Sequence, residues 1–571
     1  MERAVHPVDL PHDWQIRHAD DLYRDGTLFY RKYFFVTDVP GTRRMLWFGG
    51  AYMDTTVFVN GTEVGQWKYG YTSFWFDITD ALHEGQNEVL VRCNLRHPNS
   101  RWYSGAGLYR NVELWEAPDL HLMPDGLYVA AKEGDNGAWT VTVTAEAGSV
   151  TAASAGRTLT LHLTDDNGSL LGTAAIPADA WAALPSPDGW RTGKETTIYK
   201  ASHTFTLQDP ALWDLDAPSF YHITAELTGA DGVTDTLTTR FGCRTIEATP
   251  DCGLLVNHKR VLIKGVCIHH DFGCLGSAFE YSAAKRQLEI LKSMGVNSIR
   301  TGHTPPAPQF MDLADEMGIL MDVESFDCWR SGKNPYDYGR FFDEWQEKDV
   351  AAWVRRDRNH PSLLFWCIGN EIYDTHAGPE GADTMRMLLA EVAEHDPAHN
   401  GIPTLGSNYM PWKNTQHCAD IIKVAGYNYG ERLYTDHHEK HPDWVIYGSE
   451  TGSIVQSRGI YHFPLSQSLL SDDDLQCSSL GNSRTSWGAE SWDVCLLSEQ
   501  RWPFTLGQYL WAGWDYIGEP TPYHTRSSYF GTIDTAGFPR TPTTSCRPRG
   551  STPRPTRWYT CSPTGTSTTG R

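Results

Sequence analysis

Between residues 261 and 516, strand-length apolar runs alternate with longer segments of helical period, and this alternation constrains the chain more than any single motif. The runs are 261–269, 296–301, 319–324, 363–371, 404–408, 421–429, 444–450 and 506–516, with helices expected at 282–294, 308–317 and 341–358. A helix-length connection returns the chain to the same end of the sheet, so consecutive strands must pair in parallel. Eight such βα units, with no glycine-rich dinucleotide turn after the first strand, predict a closed (β/α)8 TIM barrel over residues 245–540.

Upstream the rhythm is different. Short alternating runs such as 30–36 (YRKYFFV), 55–60 (TTVFVN) and 87–92 (NEVLVR) are separated by polar turns, the pattern of antiparallel strands with one wet face. They predict an N-terminal β-sandwich of the jelly-roll type over residues 1–118. A second set, including 139–145 (WTVTVTA), 158–164, 201–207 and 221–227, predicts an immunoglobulin-like β-sandwich over 119–244, with a loop near 149–156. The expected fold class is multidomain: two sandwiches, a barrel and an irregular tail at 541–571.

With 48 basic and 70 acidic residues the formal charge is −22, the wrong sign for holding a polyanion, so nucleic acid is excluded as an expected partner. Apolar residues at 40% and 22 tryptophans are core-forming chemistry and exclude a wholly disordered chain. No apolar run approaches the roughly 18 residues of a membrane span, and the opening MERAVHPVDLPHDW lacks the apolar stretch of a signal peptide. The expectation is a cytoplasmic protein without a membrane partner. The 12 cysteines are scattered without a CxxC pair, which predicts free thiols and neither a zinc site nor a disulfide framework.

In a barrel of this kind chemistry collects at the C-terminal ends of the strands. The polar residues found there are His269, His270 and Asp271; Arg300 and His303; Glu324; Asn370 and Glu371; Asn408; Tyr427, Asn428 and Tyr429; Glu450; and Trp511, Trp514 and Asp515. Glu371 and Glu450 each terminate an apolar run, where a carboxylate needs a partner or a proton. Retaining glycoside hydrolysis needs two carboxyls about 5 to 5.5 Å apart, and strands four and seven can face each other across the mouth at that separation. The structural alternative is an ion pair with an arginine such as Arg300. Two such glutamates, one directly after Asn370, favour the catalytic reading.

Residues 365–371 (FWCIGNE), 300–305 (RTGHTP), 448–451 (GSET) and 507–523 (GQYLWAGWDYIGEPTPY) resemble family 2 glycoside hydrolases, in particular the β-galactosidase branch. Upstream, 9–16 (DLPHDWQI), 59–61 (VNG) and 100–110 (SRWYSGAGLYR) look like that family's sugar-binding sandwich, and 213–221 (WDLDAPSFY) like its immunoglobulin-like domain. The resemblance implies an exo-acting retaining enzyme for terminal β-D-galactosides, with Glu450 as nucleophile and Glu371 as acid/base. It also implies that Asn370 bonds the sugar 2-hydroxyl, that His303 binds the transition state, and that Tyr429 or Tyr427 bonds the nucleophile. His269 and Asp271 resemble ligands of sugar hydroxyls, while one of His269 and His270 must face the barrel wall because neighbours on a strand alternate. Asn408, ending strand five, completes the candidate substrate-binding set. Indole rings stack on pyranoside faces, so Trp511 and Trp514 are expected walls, with Trp102 or Tyr103 reaching in from the first sandwich. The partner implied is a β-galactoside saccharide, and a homo-oligomer is compatible with the sequence.

Three departures from the family pattern follow. Some β-galactosidases hold a metal through a Glu and a His two residues apart after strand three; here Glu324 is followed at that spacing by Phe326. No cofactor is expected to be required, and Mg2+ or Na+ stays open without that ligand pair. β-Glucuronidases carry Asn-x-Lys after strand eight, whereas residues 525–528 read TRSS, with Arg526 as the one cation offered to a uronate. A β-glucuronidase or β-galacturonidase is the enzymatic alternative, and a non-catalytic carbohydrate-binding protein is the alternative of another class. Finally, the family's usual opening before residue 9 is missing.

The tail is unlike the rest. Residues 541–571 hold ten Thr, five Arg and five Pro, with no Leu, Ile, Val, Met or Phe, and cannot build a core. Regrouping its codons by one base forces Val across Trp558 and Tyr559 and permits strings that look like the segment following Pro539 in this family. The expectation is a single-base slip near Arg540, which leaves a folded body of charge −27.

Overall fold

The computed structural model describes residues 6–18, 21–37, 41–151, 154–185, 196–229, 232–460, 490, 495–497, 501–519 and 527–540. Eight parallel strands close into a barrel: β1 (Ile263–Ile268), β2 (Ser298–Thr301), β3 (Leu320–Glu324), β4 (Leu363–Asn370), β5 (Ile402–Ser407), β6 (Val424–Asn428), β7 (Val445–Thr451) and β8 (Gly507–Leu510). β8 pairs back onto β1, with Ile263 opposite Gly507. All eight residues of β4 are buried, because a parallel strand covered on both faces reads as one continuous apolar run.

The outer helices include α1 (Tyr281–Ser293), α2 (Pro308–Met317), α3 (Phe342–Asp357), α4 (Glu380–His395) and α5 (Lys413–Ile422). α2 shows its sequence logic at both ends. Pro308 sits in the first turn, where no N–H is needed, and Gly318, at φ 61°, takes the left-handed conformation that closes the helix. Two expected strands are shorter than their apolar runs. Ile421 and Ile422 belong to α5, and Lys423 at φ 64° separates them from β6. β8 ends at Leu510, while Tyr516–Ile517 pairs antiparallel with Ser527–Ser528. A buried helix end and a buried strand give the same local apolar signal, so length alone did not separate them.

The first sandwich sets a sheet of Gly26–Val36, Gly85–Leu95, Thr55–Val59 and Thr62–Trp67 against one of Phe74–Asp77, Thr42–Phe48 and Val112–Pro118. The second has two four-stranded sheets around Val141, Val143, Leu161, Ile223 and Leu227. A small sheet of Ile246–Thr249, Gly253–Val256 and Lys259–Val261 leads into the barrel. The first sandwich docks at the barrel mouth: buried Arg110 donates to the Pro305 carbonyl at 2.8 Å, and Thr72 donates to Asp349 of α3 at 2.7 Å. The second grips the helices, through Trp213 donating to the Asp315 carbonyl at 3.0 Å and Arg355 donating to Glu146 at 2.6 Å. The tail at 541–571 and Arg526 lie outside the described residues.

Candidate active site

Arg300, in β2 and with no exposed surface, is the hub of the mouth. Its Nη1 donates to Glu450 Oε1 at 2.9 Å, and its Nη2 donates to Asn370 Oδ1 at 2.9 Å and contacts Glu324. The space exists because β5 carries glycine at position 406: a Cβ there would lie 2.7 Å from Nη2 of this pinned guanidinium.

Glu450 also accepts from Tyr429 Oη at 2.9 Å, through Oε2. Burial raises this carboxyl above its ordinary value, Arg300 pulls it down, and the charge of Glu371 pushes it up again. Glu371 and Tyr429 leave their strands in left-handed backbone conformations, at φ 45° and 54°. That conformation costs on the order of 1 kcal/mol or more for a residue with a Cβ. Each is held there by a backbone bond at 2.8 Å, Glu371 N–H to the Gly406 carbonyl and Tyr429 N–H to that of Glu450.

Glu371 accepts from Asn428 Nδ2 at 3.2 Å and from Arg101 Nη1 at 3.1 Å. Asn428 Nδ2 also lies 3.0 Å from Asn370 Oδ1, so one amide links the two glutamates through Asn370 and Arg300. Asp327 ties the opposite side together. It accepts from Arg101 Nη2 at 2.8 Å, Lys333 Nζ at 2.7 Å and Asn370 Nδ2 at 2.9 Å. Against its burial, Arg101 and Lys333 hold the Asp327 carboxyl down at about 2.

Aromatic rings wall the mouth. His303 stacks on Trp511 at 5.3 Å with 1° between planes, and Trp102 of the first sandwich stacks on His269 at 5.3 Å. Burial, with Arg300 next, drives His303 well below the usual imidazole range, and burial does the same to His269. Neither ring nitrogen of His269 has a hydrogen-bond partner.

The other expected residues fall elsewhere. His270 turns away, its Nε2 3.0 Å from the Ser104 carbonyl and its ring against Tyr71. Asp271 accepts the backbone N–H of Gly273 at 3.1 Å and of Ile517 at 3.3 Å, and burial lifts its carboxyl to about 7. Asn408 is exposed just beyond β5. Trp514 lies in the hydrophobic core that also holds Val266 and Leu510. Tyr427 is core, its hydroxyl 2.8 Å from His437 Nδ1, and Tyr103 donates to Asp13 at 2.6 Å. Glu324 is engaged by Arg300 and His303, and Phe326 stacks on Tyr338 at 5.2 Å, so this pair does not fit a cation. Asp312, Asp315 and His360, another acidic group on the barrel exterior, already face Arg240, 3.4 and 3.2 Å from the two aspartates.

Sequence reasoning missed Arg101, Asp327 and Lys333. Arg101 sits in the quoted SRWYSGAGLYR segment beside Trp102, and Asp327 follows the end of β3 by three residues, but neither ends a barrel strand.

Two carboxyls at the mouth of a (β/α)8 barrel match the equipment of a glycoside hydrolase, the class of enzyme to which the chain's relatives belong. Residues 248–416 match "Glycosyl hydrolases family 2, TIM barrel domain" and residues 125–244 match "Glycosyl hydrolases family 2". The chain is 34% identical to the β-galactosidase BoGH2A of Bacteroides ovatus, over 93% of this chain and 67% of that protein. It is 26% identical to a β-glucuronidase of Bacteroides fragilis, over 89% of this chain and 73% of the other. The crystal structure of a glycosyl hydrolase family 2 member from Bacteroides cellulosilyticus superposes with a TM-score of 0.79 at 28% identity, covering 94% of this chain and 66% of that one. The chain belongs to glycoside hydrolase family 2, a family of retaining enzymes. It spans about two thirds of the length of the Bacteroides ovatus and Bacteroides cellulosilyticus proteins.

Proposed function

We propose that the protein is an exo-acting β-galactosidase in which Glu450 is the nucleophile and Glu371 the acid/base. The observation that carries this reading is the unequal setting of the two glutamates. Glu450 is gripped from below by Arg300 and Tyr429, which fix both oxygens for attack at the anomeric carbon. Glu371 is held by Asn428 and by Arg101, whose side chain is 31% exposed at the mouth, on the side where a leaving group departs. Glu450 attacks as Glu371 gives its proton to the departing oxygen; Glu371 then takes a proton from the water that frees the sugar. Asn370 Nδ2 and the free nitrogens of His269 supply groups for sugar hydroxyls, with Trp511 as the apolar wall. Arg101 and Trp102 close one side of the mouth, which supports a terminal sugar as substrate.

The galactoside assignment is supported by the likeness to the Bacteroides ovatus β-galactosidase, while the Bacteroides fragilis β-glucuronidase keeps a uronide as the second reading. Nine cysteines among the described residues are free thiols, which supports a cytoplasmic, reducing setting. No helix among the described residues is long and apolar enough to cross a membrane.

Turnover of an aryl β-galactoside against an aryl β-glucuronide separates the two substrates. Trapping with a 2-deoxy-2-fluoro galactoside and mapping the adduct tests the nucleophile: the label is expected on Glu450, and a label on any other residue overturns the assignment.

A further inference from the structure

Glu324, at the end of β3, takes no part in the double displacement, yet it has no exposed surface and sits in a buried charge cluster around Arg300. Its Oε1 is engaged by Arg300 Nη2 and lies 3.4 Å from the Cys367 thiol; its Oε2 lies 2.6 Å from His303 Nδ1. The other His303 nitrogen, Nε2, is 3.7 Å from Glu450 Oε1. Glu450, Arg300, Glu324 and His303 therefore close a ring. Asp322 Oδ2 stands 3.7 Å from Arg300 Nε on the side away from the mouth.

One guanidinium thus faces three buried carboxyls. If all three were ionised the cluster would carry two uncompensated negative charges, each costing several kcal/mol away from water. Protons must be retained, and the hydrogen-bond geometry says where one of them goes. An ionised Glu324 would accept from Nδ1–H, and a neutral imidazole would then turn the Nε2 lone pair toward Glu450, acceptor against acceptor. A protonated Glu324 donates to Nδ1 instead, and the hydrogen moves to Nε2, on the side of Glu450 Oε1, 3.7 Å away and so beyond direct hydrogen-bond reach. An imidazolium would satisfy both sides, but the ring is enclosed by Trp102, Trp511 and His269, with Arg300 beside it.

We propose that Glu324 is a positioning residue: as the neutral acid it donates to His303 Nδ1 and so fixes the imidazole as the Nε2–H tautomer, a donor directed at Glu450 and at the sugar oxygen beside it. The catalytic meaning rests on the reading of Glu450 as nucleophile; the tautomer does not. Burial acts in the same direction on both partners, lifting Glu324 well above the usual carboxylate range and lowering His303. The groups facing Glu324 are Arg300, Asp322, Glu450, His303, Cys367 and Thr301, whose hydroxyl accepts the Glu324 N–H at 3.0 Å.

The direct test is nitrogen NMR of the full chain labelled with 15N-histidine, with His303→Gln used only to assign the signal. A protonated Nε2 and an unprotonated Nδ1 are expected; Nδ1–H or an imidazolium overturns the proposal. The second test compares Glu324→Gln with Glu324→Ala on whichever aryl glycoside the parent cleaves. Glutamine keeps a donor for Nδ1 and an acceptor for Arg300, so kcat/KM is expected within about tenfold of the parent with an unmoved pH profile, while alanine loses about a hundredfold or more. A folded Glu324→Gln protein, by its melting curve, that is as impaired as Glu324→Ala also overturns it. If either variant fails to fold, the NMR result on the parent decides. An Nε2–H tautomer combined with a fluoro-sugar adduct elsewhere than Glu450 would sink the catalytic reading and leave the tautomer assignment standing.

Discussion

Arg101 of the first sandwich donates from Nη1 to Glu371 Oε2 at 3.1 Å, across 270 residues of sequence. The same guanidinium donates from Nε and Nη2 to the two oxygens of Asp327, at 3.2 and 2.8 Å. The barrel's acid/base candidate is therefore oriented by another domain. Replacing Arg101 with Ala is expected to lower kcat/KM by about 10- to 100-fold, the worth of a charge-assisted hydrogen bond. Arg101→Lys should not restore it, because a single ammonium cannot reproduce three directed N–H groups. Parental kinetics in Arg101→Ala would show that the contact is idle.

The two tyrosines at the end of β6 should separate cleanly. Tyr429 donates to Glu450 and Tyr427 bonds His437 in the core. Tyr429→Phe is expected to reduce kcat by about 100-fold, with melting almost unchanged. Tyr427→Phe should leave turnover alone and cost about 1 kcal/mol of stability. The converse pattern in parallel kinetics and denaturation would reverse the roles.

Raised buried carboxyls contribute more stability as pH falls from 8 to 5, while the buried neutral imidazoles of His269, His270 and His303 oppose them below about 6.5. Burial lifts the carboxyls of Asp271, Asp322 and Asp349 to about 7, above the ordinary value of 3.8. A carboxyl raised by folding stabilises fully below its unfolded value and loses that contribution as pH rises through the folded one. The window is thus pH 4 to 7. Asp327, held at about 2, works oppositely and loses its contribution only below about pH 4. The carboxyl's own part is read from Asp349→Asn: the melting temperature of the parent relative to this variant is expected to fall from pH 5 to pH 8, and a difference that does not change with pH would contradict the assignment.

Trp213 pins the second sandwich region to the barrel, fully buried and donating to the Asp315 carbonyl. Trp213→Ala is expected to cost about 3–5 kcal/mol by cavity formation, read as a lower midpoint in urea. Catalytic constants of the protein that stays folded should be close to parental, since the indole lies outside the mouth.

Local period carried a great deal. Alternation by two in the sandwiches and apolar runs spaced by helices in the barrel follow from strand and helix geometry, so both architectures were readable residue by residue. Glu371 and Glu450 stood out as candidates, because a carboxylate ending a buried strand needs a partner or a proton. Tertiary structure decided the rest. Tyr427 and Tyr429, two apart, would share one face of an ideal strand, but β6 ends at Asn428 and the left-handed turn at Tyr429 sends its hydroxyl to Glu450. His269 and His270, neighbours on a strand, must diverge, and only the docked sandwich, with Ser104 against His270 and Trp102 against His269, fixes which faces the mouth. Trp514 resembled Trp511 as a wall; both indoles are buried, and it is Trp511 that stacks on His303. Arg101, Asp327 and Lys333 left no mark in any local pattern. Sequence period reports how one element meets its immediate neighbours, whereas a contact spanning 270 residues exists only once two independently formed layers have been pressed together.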